Sequence, residues 1–179
     1  AAAGSGGSVA QRYISPPLML SDGLKFDLRL YVLVTSTSPL QAYLYREGLA
    51  RFAVDTYVAP NRENMRNVHM HLTNYSLNKK SENFVKNDLP DGGDDGSKRT
   101  VSSVFAALKA CGQVGDVEAL WEDIGCLVGR SLAALQPVLT TAANADRRAH
   151  GSNCFQVLGF DVLLDQKARP WLIEINDHP

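Results

Sequence analysis

The sequence has few cysteines, and they form neither a disulfide framework nor a metal motif. Only three occur among 179 residues, at Cys111, Cys126 and Cys154, and none belongs to a C-x-x-C pair. A sparse, odd set of cysteines is typical of proteins in a reducing compartment rather than of small disulfide-stabilised domains. The cysteines therefore predict a location in the cytoplasm.

The sequence also lacks a continuous run of about 18 apolar residues, the length that a membrane-spanning helix requires. Its start, AAAGSGGSVA, has neither the basic region nor the long apolar core of a signal peptide. Its Gly and Ser content predicts a flexible linker or loop over residues 1–10. The remaining length and the 45% hydrophobic composition suit a single domain over residues 11–179.

Charge of neither sign dominates, because the formal net charge is −1. The distribution is nevertheless uneven: residues 10–86 carry an excess of Lys and Arg, whereas residues 87–179 carry an excess of Asp and Glu. A basic N-terminal half suits an anionic ligand such as a triphosphate or an acidic peptide tail. A solvated surface of mixed charge accounts for the same distribution.

The C-terminal segment Gly159–Pro179 predicts a β-hairpin, because two apolar runs flank the polar turn Asp165–Pro170. If the turn is centred between Lys167 and Ala168, Asp161 lies directly opposite Glu174, and Asn176 shares their face. The same register predicts the remaining pairs: Phe160 with Ile175, Val162 with Ile173, Leu163 with Leu172 and Leu164 with Trp171.

Like charges directly opposite each other destabilise a sheet, so this pairing predicts a cation between Asp161 and Glu174. Their carboxylate oxygens, joined by the carbonyl of Asn176, suit a Mg²⁺ ion that also holds nucleotide phosphates. The alternative is a hairpin whose polar face meets water. The residues by themselves leave both interpretations open.

Strict alternation over Lys25–Val34 predicts a strand with one apolar face. The polar face suits phosphate and ribose recognition, or it is a self-neutralising surface in solvent; its residues are Lys25, Asp27, Arg29 and Tyr31. Two further strands, Gln41–Tyr45 and Leu49–Ala53, are predicted on either side of a glycine-containing turn at residues 46–48.

Two helices are predicted after the strands. One covers Val101–Ala110, and the other begins at the N-cap Asp116 and ends near Pro137. Residues 88–96 and 142–152 are predicted loops. His69 and His71 would share one face of an extended segment, but no third nitrogen or sulfur ligand accompanies them, which disfavours a zinc site. The overall expectation is an α+β fold with an antiparallel sheet and packed helices.

Several motifs, in this order, resemble the ATP-grasp domain of tubulin tyrosine ligase-like proteins, most closely the polyglutamylase branch. They are QRYI, KFDLR followed by YVLVT, YREGLARFA, HLTNYSLNKKSENF, GSKR, and GFDVLLD with PWLIEIN. The resemblance covers residues 11–179 and implies the C-terminal portion of an ATP-grasp-like domain.

The resemblance also implies roles for individual residues. The hinge that binds adenine corresponds to Gln11, Arg12, Tyr13 and Ile14. The rest of the nucleotide site corresponds to Lys25, Asp27, His71, Leu72, Thr73 and Asn74. Two arginines, Arg29 and Arg51, correspond to catalytic positions that contact the acyl acceptor, the phosphorylated carboxylate or the incoming amino acid. The magnesium ligands correspond to Asp161, Glu174 and Asn176.

The function that the resemblance implies is an ATP- and Mg²⁺-dependent ligase that adds free glutamate to carboxylates of tubulin tails through an acyl phosphate. Tubulin glycylation and a non-catalytic microtubule or axoneme protein of the same family are the alternatives. We expect tubulin or microtubules as partner, no nucleic acid or membrane partner, and a place in the cytoskeleton, with the cilium, axoneme or basal body as narrower expectations. Because the family's upstream lysines precede the hinge, we expect this chain by itself to be catalytically incomplete.

Overall fold

A computed structural model of the chain describes residues 9–84, 96–145 and 155–179. In chain order its elements are β1 (Leu24–Thr37), β2 (Leu40–Thr56), α1 (Val68–His71), α2 (Tyr75–Asn78), β3 (Lys98–Thr100), α3 (Val101–Ala110), α4 (Val117–Ala145), β4 (Gln156–Leu164) and β5 (Pro170–Asn176). The strands form one antiparallel sheet in the order β3-β2-β1-β4-β5. The predicted α+β class with an antiparallel sheet is confirmed.

Two predicted connecting segments lie mostly outside the described residues. Of the linker over residues 1–10, only Val9 and Ala10 are described, and both are exposed without regular secondary structure. Of the loop over residues 88–96, only Gly96 is described.

The core lies between one face of the sheet and helices α3 and α4. The predicted apolar face of β1 is confirmed, because each of its five side chains is at most 5% exposed; they are Phe26, Leu28, Leu30, Val32 and Val34. From α4, Leu120, Ile124, Val128 and Leu132 are buried at helical spacing against the same core. Burying a side chain of this size contributes about 1.5–3 kcal/mol, so this layer holds the helices on the sheet.

Helix α3 has the predicted bounds, but α4 is longer than predicted. It continues through Pro137 to Ala145, so the predicted end near Pro137 and the loop from residue 142 are wrong over residues 142–145; residues 146–152 lie outside the described residues. Past the proline, Thr140 Oγ1 donates a 3.3 Å hydrogen bond to the Thr37 carbonyl, which ties the extended helix to the end of β1. Within the described residues one helical stretch, Val117–Ala143, is long and apolar enough to cross a membrane by length and composition.

Strand β2 is continuous, so the prediction of two strands separated by a turn is wrong. The segment at residues 45–47 is instead a bulge, between the pairs Leu30–Gly48 and Val32–Leu44. A Cβ atom on Gly48 would overlap the backbone oxygen of Arg29. Gly48 therefore marks a close approach of two strands rather than a turn.

The β4–β5 hairpin has the predicted register only at its open end. Asp161 pairs with Glu174, and Phe160 with Ile175, as predicted. Beyond them a bulge shifts the register by one residue, so the other predicted pairs are wrong; the observed pairs are Val162–Leu172, Leu163–Trp171 and Leu164–Pro170. The cause is a tighter turn, in which Asp165 accepts hydrogen bonds from the backbone N–H groups of Lys167 and Arg169.

Candidate active site

A cavity of about 140 Å³ lies on the sheet face opposite the core, where β1, β2, β4 and β5 meet the loop after α1. Most of the predicted site residues line it, although they come from distant parts of the chain. The lining residues are Lys25, Asp27, Arg51, His71, Leu72, Thr73, Asn74, Asp161, Leu163, Ile173 and Glu174. The polar face of β1 is therefore not the solvated surface of the alternative interpretation, since Lys25 is only 9% and Asp27 only 5% exposed.

Two arginines and two carboxylates form a continuous ion-pair network across three strands. Arg29 on β1 contacts Asp161 on β4 through both its Nε, at 2.5 Å, and its Nη2, at 3.2 Å. Arg51 on β2 contacts Asp161 through Nη2 at 2.8 Å and holds Asp27 with Nε and Nη2. Arg29 and Arg51 therefore neutralise Asp161 within the protein itself, and the predicted Mg²⁺ at the Asp161–Glu174 pair stays a prediction.

The pKa values of the two carboxyl groups in this network shift in opposite directions. Burial by itself would raise the pKa of Asp161, but hydrogen bonds from Arg29 and Arg51 hold that pKa below its ordinary value. Burial raises the pKa of Asp27, although Arg51 opposes the shift. Asp161 is therefore firmly anionic, and Asp27 is the more easily protonated of the two.

Gly159 on β4 leaves room for the side chain of Arg29, because it has no side chain of its own. A Cβ atom on Gly159 would stand 3.2 Å from Arg29 Cδ and 2.6 Å from the Cβ of Pro179. The Arg29 side chain thus passes over Gly159 and reaches Asp161 with its guanidinium group. Arg29 does not line the cavity itself, and it acts on the cavity through Asp161.

Lys25 joins the predicted hinge to the loop after α1. Its Nζ donates to the carbonyl of His71 at 2.8 Å and to the hydroxyl of Tyr13 at 3.2 Å, and it lies 4.4 Å from the centre of the Tyr13 ring. Burial lowers the pKa of Lys25 to about 8, against the opposing effect of Asp27. The Tyr13 hydroxyl also contacts Nδ1 of His71 at 3.1 Å.

The other predicted hinge residues do not line the cavity, and Gln11 lies beside β5. The amide of Gln11 donates to the Ile173 carbonyl at 2.9 Å. Arg12 is exposed and Ile14 is half-buried. Two of the four predicted hinge residues thus contact residues that line the cavity through their side chains: Tyr13 contacts Lys25 and His71, and Gln11 contacts Ile173.

The predicted magnesium ligands provide only oxygen donors, which fits Mg²⁺. Glu174 is exposed, and the amide of Asn176 donates to Glu174 Oε1 at 3.3 Å, so Asn176 would offer its carbonyl oxygen to a cation. Asp161 Oδ1 accepts from one guanidinium nitrogen and Oδ2 from two, so Oδ1 keeps a lone pair that would be available to a cation. Within the described residues no group of three or more His, Cys, Asp or Glu side chains could hold a metal.

The histidine segment is helical rather than extended. His69 and His71 belong to α1, where His69 Nδ1 contacts Asn78 Oδ1 at 3.2 Å and His71 is buried against Tyr13 and Tyr57. The interpretation of the two histidines as one extended face is therefore wrong. The sequence also contains no indication that Asn78 is buried, because a single buried amide in a polar run leaves no periodic signal.

The tubulin-tyrosine ligase family model matches residues 2–179. The chain belongs to the tubulin-tyrosine ligase family. Its antiparallel sheet and packed helices form an α+β fold that is consistent with a partial ATP-grasp-like domain of that family. The ligases of the family are ATP-dependent.

The chain is similar to several curated members of the family. It is 45% identical over 173 residues to the tubulin polyglutamylase TTLL6 of Mus musculus, covering 96% of this chain and 20% of that protein. It is 44% identical to the tubulin polyglutamylase ttll6 of Danio rerio, with 96% and 21% covered. It is 42% identical to the probable beta-tubulin polyglutamylase of Tetrahymena thermophila, with 96% and 14% covered. The chain thus spans about a fifth of the length of the first two relatives.

Proposed function

We propose that this chain is the C-terminal portion, over residues 11–179, of an ATP-grasp domain in an enzyme that adds glutamate to tubulin tails. The observation that carries the proposal is the cavity. Four strands and one loop bring together charged and polar residues, most of them at positions that the resemblance assigns to the nucleotide, acceptor and metal site. The names of the similar proteins, all tubulin polyglutamylases, support glutamate over glycine and tubulin as the partner.

The proposed binding roles follow from where the residues lie. Lys25 would offer its charge to a nucleotide phosphate, and His71, Leu72, Thr73 and Asn74 would border the sugar and phosphates. The segment Gln11–Ile14 would receive the adenine base. Asp161, Glu174 and Asn176 would hold Mg²⁺, which when bound offsets negative charge on the phosphate oxygens.

The proposed chemistry needs no nucleophile from the protein. A carboxylate of the tubulin tail attacks the terminal phosphorus of ATP and releases ADP, and the amine of free glutamate then displaces inorganic phosphate from the resulting acyl phosphate to form the amide. Arg51 would stabilise charge on the transferring oxygens, and Asp27 and Asp161 hold its guanidinium before any ligand arrives. Such preorganised charge is worth far more than a flexible side chain in solvent.

The direct test incubates the full-length protein with tubulin, Mg-ATP and either glutamate or glycine, and measures the tubulin tails by mass spectrometry. We expect glutamate to be added and glycine not. Addition of glycine alone would favour the glycylase alternative. Binding of Mg-ATP without transfer of either amino acid would favour a non-catalytic protein associated with microtubules, in the cytoskeleton or more narrowly in a cilium or basal body.

Glu174→Gln is expected to weaken Mg-ATP binding, because it removes an anionic oxygen ligand while preserving the shape of the side chain. Calorimetry with Mg-ATP measures the change. Glu82→Gln, at an exposed position outside the cavity, is the control. Unchanged affinity in a folded Glu174→Gln variant would remove Glu174 from the proposed ligand set.

Nucleotide affinity is expected to fall as the pH rises through about 8, the value to which burial lowers the pKa of Lys25. Above that pH the free protein loses the charge that attracts the phosphates, which costs up to about tenfold in affinity per pH unit. The folding contribution of the same group has the opposite sign. Between about 8 and the ordinary value of 10.5 the unfolded chain binds the extra proton, so stability rises with pH.

Calorimetric titrations with Mg-ATP between pH 7 and 9 check this expectation, with Lys25→Met as the variant. This variant should bind more weakly at pH 7 and lose the dependence. An identical pH profile in the two proteins would assign the titration to another group.

A further inference from the structure

Asn78, at the end of α2, is the most deeply buried polar side chain among the described residues, at 1% exposure. Its Nδ2 donates to the carbonyl of Leu72 at 3.0 Å and to the carbonyl of Phe52 at 3.3 Å. Its Oδ1 contacts Nδ1 of His69 at 3.2 Å. One amide therefore joins strand β2, helix α1 and the loop after α1.

Each of the two carbonyls lies where a regular backbone element ends. The N–H of Phe52 bonds to the carbonyl of Ser97, just before β3 begins, so the Phe52 carbonyl points past the start of that strand. Leu72 is the C-cap of α1, and the last carbonyls of a helix have no partner within it. The Asn78 amide supplies a side-chain donor to each of these carbonyls.

The two carbonyls also adjoin residues of the proposed site. Phe52 follows Arg51 directly, and Leu72 lies between His71 and Thr73. A single amide thus fixes the distance between the side of the cavity formed by β2 and the loop that borders it.

The surrounding segment is tied to β2 at its ends by Asp55. Asp55 Oδ2 accepts from the amide of Asn67 at 2.8 Å, and its Oδ1 accepts from the amide of Asn83 at 3.4 Å. Asn67 also caps α1 by accepting from the N–H of His69. A four-residue helix has little stability of its own, so these side-chain contacts determine where α1 and its loop lie.

We propose that Asn78 is a positioning residue of the ligase: it holds the His71–Asn74 loop at a fixed distance from Arg51. The proposal rests on the proposed function, because it assigns the loop to nucleotide binding. Without the Asn78 amide the loop shifts, while the Arg29–Asp161 network on the sheet stays in place.

The test compares Asn78→Ala with Asn78→Asp in the full-length protein. The aspartate keeps the size and the acceptor for His69 but cannot donate to either carbonyl. For both variants we expect the Kd for Mg-ATP and the KM for ATP to rise about tenfold, the order of effect of one hydrogen bond, with kcat at saturating ATP changed less than about threefold. Glu82→Gln, at an exposed position four residues after Asn78, is the control and should change neither constant more than about twofold.

A milder variant, Asn78→Ser, covers the case in which the alanine protein does not fold, because its hydroxyl can still donate to one carbonyl. It should show a smaller rise in the same constants. A lower melting temperature with Kd and KM unchanged in the folded variants would make Asn78 a purely structural residue and overturn the proposal. An Asn78→Asp variant with wild-type constants would also overturn it. Wild-type protein that binds no Mg-ATP would overturn the proposed function together with this inference, whereas wild type that binds Mg-ATP without ligating would overturn the proposed function alone.

Discussion

Replacing Asp161 with asparagine is expected to lower the free energy of unfolding by about 3–5 kcal/mol, the usual cost of removing one partner from a buried ion pair. Asp161 is only 2% exposed and accepts hydrogen bonds from both Arg29 and Arg51. A neutral amide at this position removes the negative charge that Arg29 and Arg51 share, and Arg51 keeps its contact with Asp27. Urea unfolding of wild type and variant at pH 7 measures the difference.

The matched control removes an ion pair at the surface. Arg46 and Glu118 lie 2.6 Å apart, but their side chains are 52% and 71% exposed. Glu118→Gln should therefore change the free energy of unfolding by less than about 0.5 kcal/mol. An equal loss in the two variants would show that the buried network contributes no more than a surface contact.

The loss caused by Asp161→Asn is also expected to depend on pH. The pKa of Asp161 lies below its ordinary value of 3.8 in the folded protein, so its contribution is complete well above that value. The contribution is lost as the pH falls through the lowered pKa. The difference in the free energy of unfolding between wild type and variant should therefore be largest at pH 7 and should become smaller in acid.

Arg51→Lys is expected to reduce turnover by about 10²–10³, the range found when one preorganised charge contact is lost. The guanidinium holds Asp27 with two nitrogens and reaches Asp161 with one of them. Lysine keeps the charge but loses the planar fork, so it cannot hold both carboxylates in this geometry. The rate of glutamate transfer at saturating Mg-ATP measures the loss, and the Kd for Mg-ATP should change much less.

Arg46→Lys is the control, because Arg46 lies on the same strand but does not line the cavity. It should leave both the rate and the affinity near their wild-type values. If Arg51→Lys weakened nucleotide affinity as much as turnover, Arg51 would belong at the nucleotide phosphates rather than at the acceptor.

Local patterns predicted the parts of the fold that depend on neighbouring residues. The alternation in β1, the bounds of α3 and the Asp161–Glu174 pair follow from periods and from a turn within one short segment. The rest of the hairpin register failed because a bulge and an off-centre turn each move the pairing by one residue. Gly48 was misread because a glycine at a close approach of strands has the same local signature as a glycine in a turn.

The candidate site depended on long-range contacts that no local pattern contains. Arg29 and Asp161 are 132 residues apart in the chain, and nothing in the sequence near either one indicates that they pair. The resemblance to the ligase family assigned most of these residues to one site. Neither the local patterns nor the resemblance predicted the contacts of Asn78, because these contacts join three segments through one side chain.

Gly48 and Gly159 give this site an unusual pattern of mutational tolerance. Neither residue has a side chain that could contact a ligand, yet each borders Arg29, one at its backbone oxygen and the other along its side chain. A side chain at Gly48 would therefore push against the backbone of Arg29, and one at Gly159 would push against its side chain and against Pro179. In a mutational scan of this chain, the glycines on strands β2 and β4 are therefore expected to behave like residues of the site rather than like turn glycines.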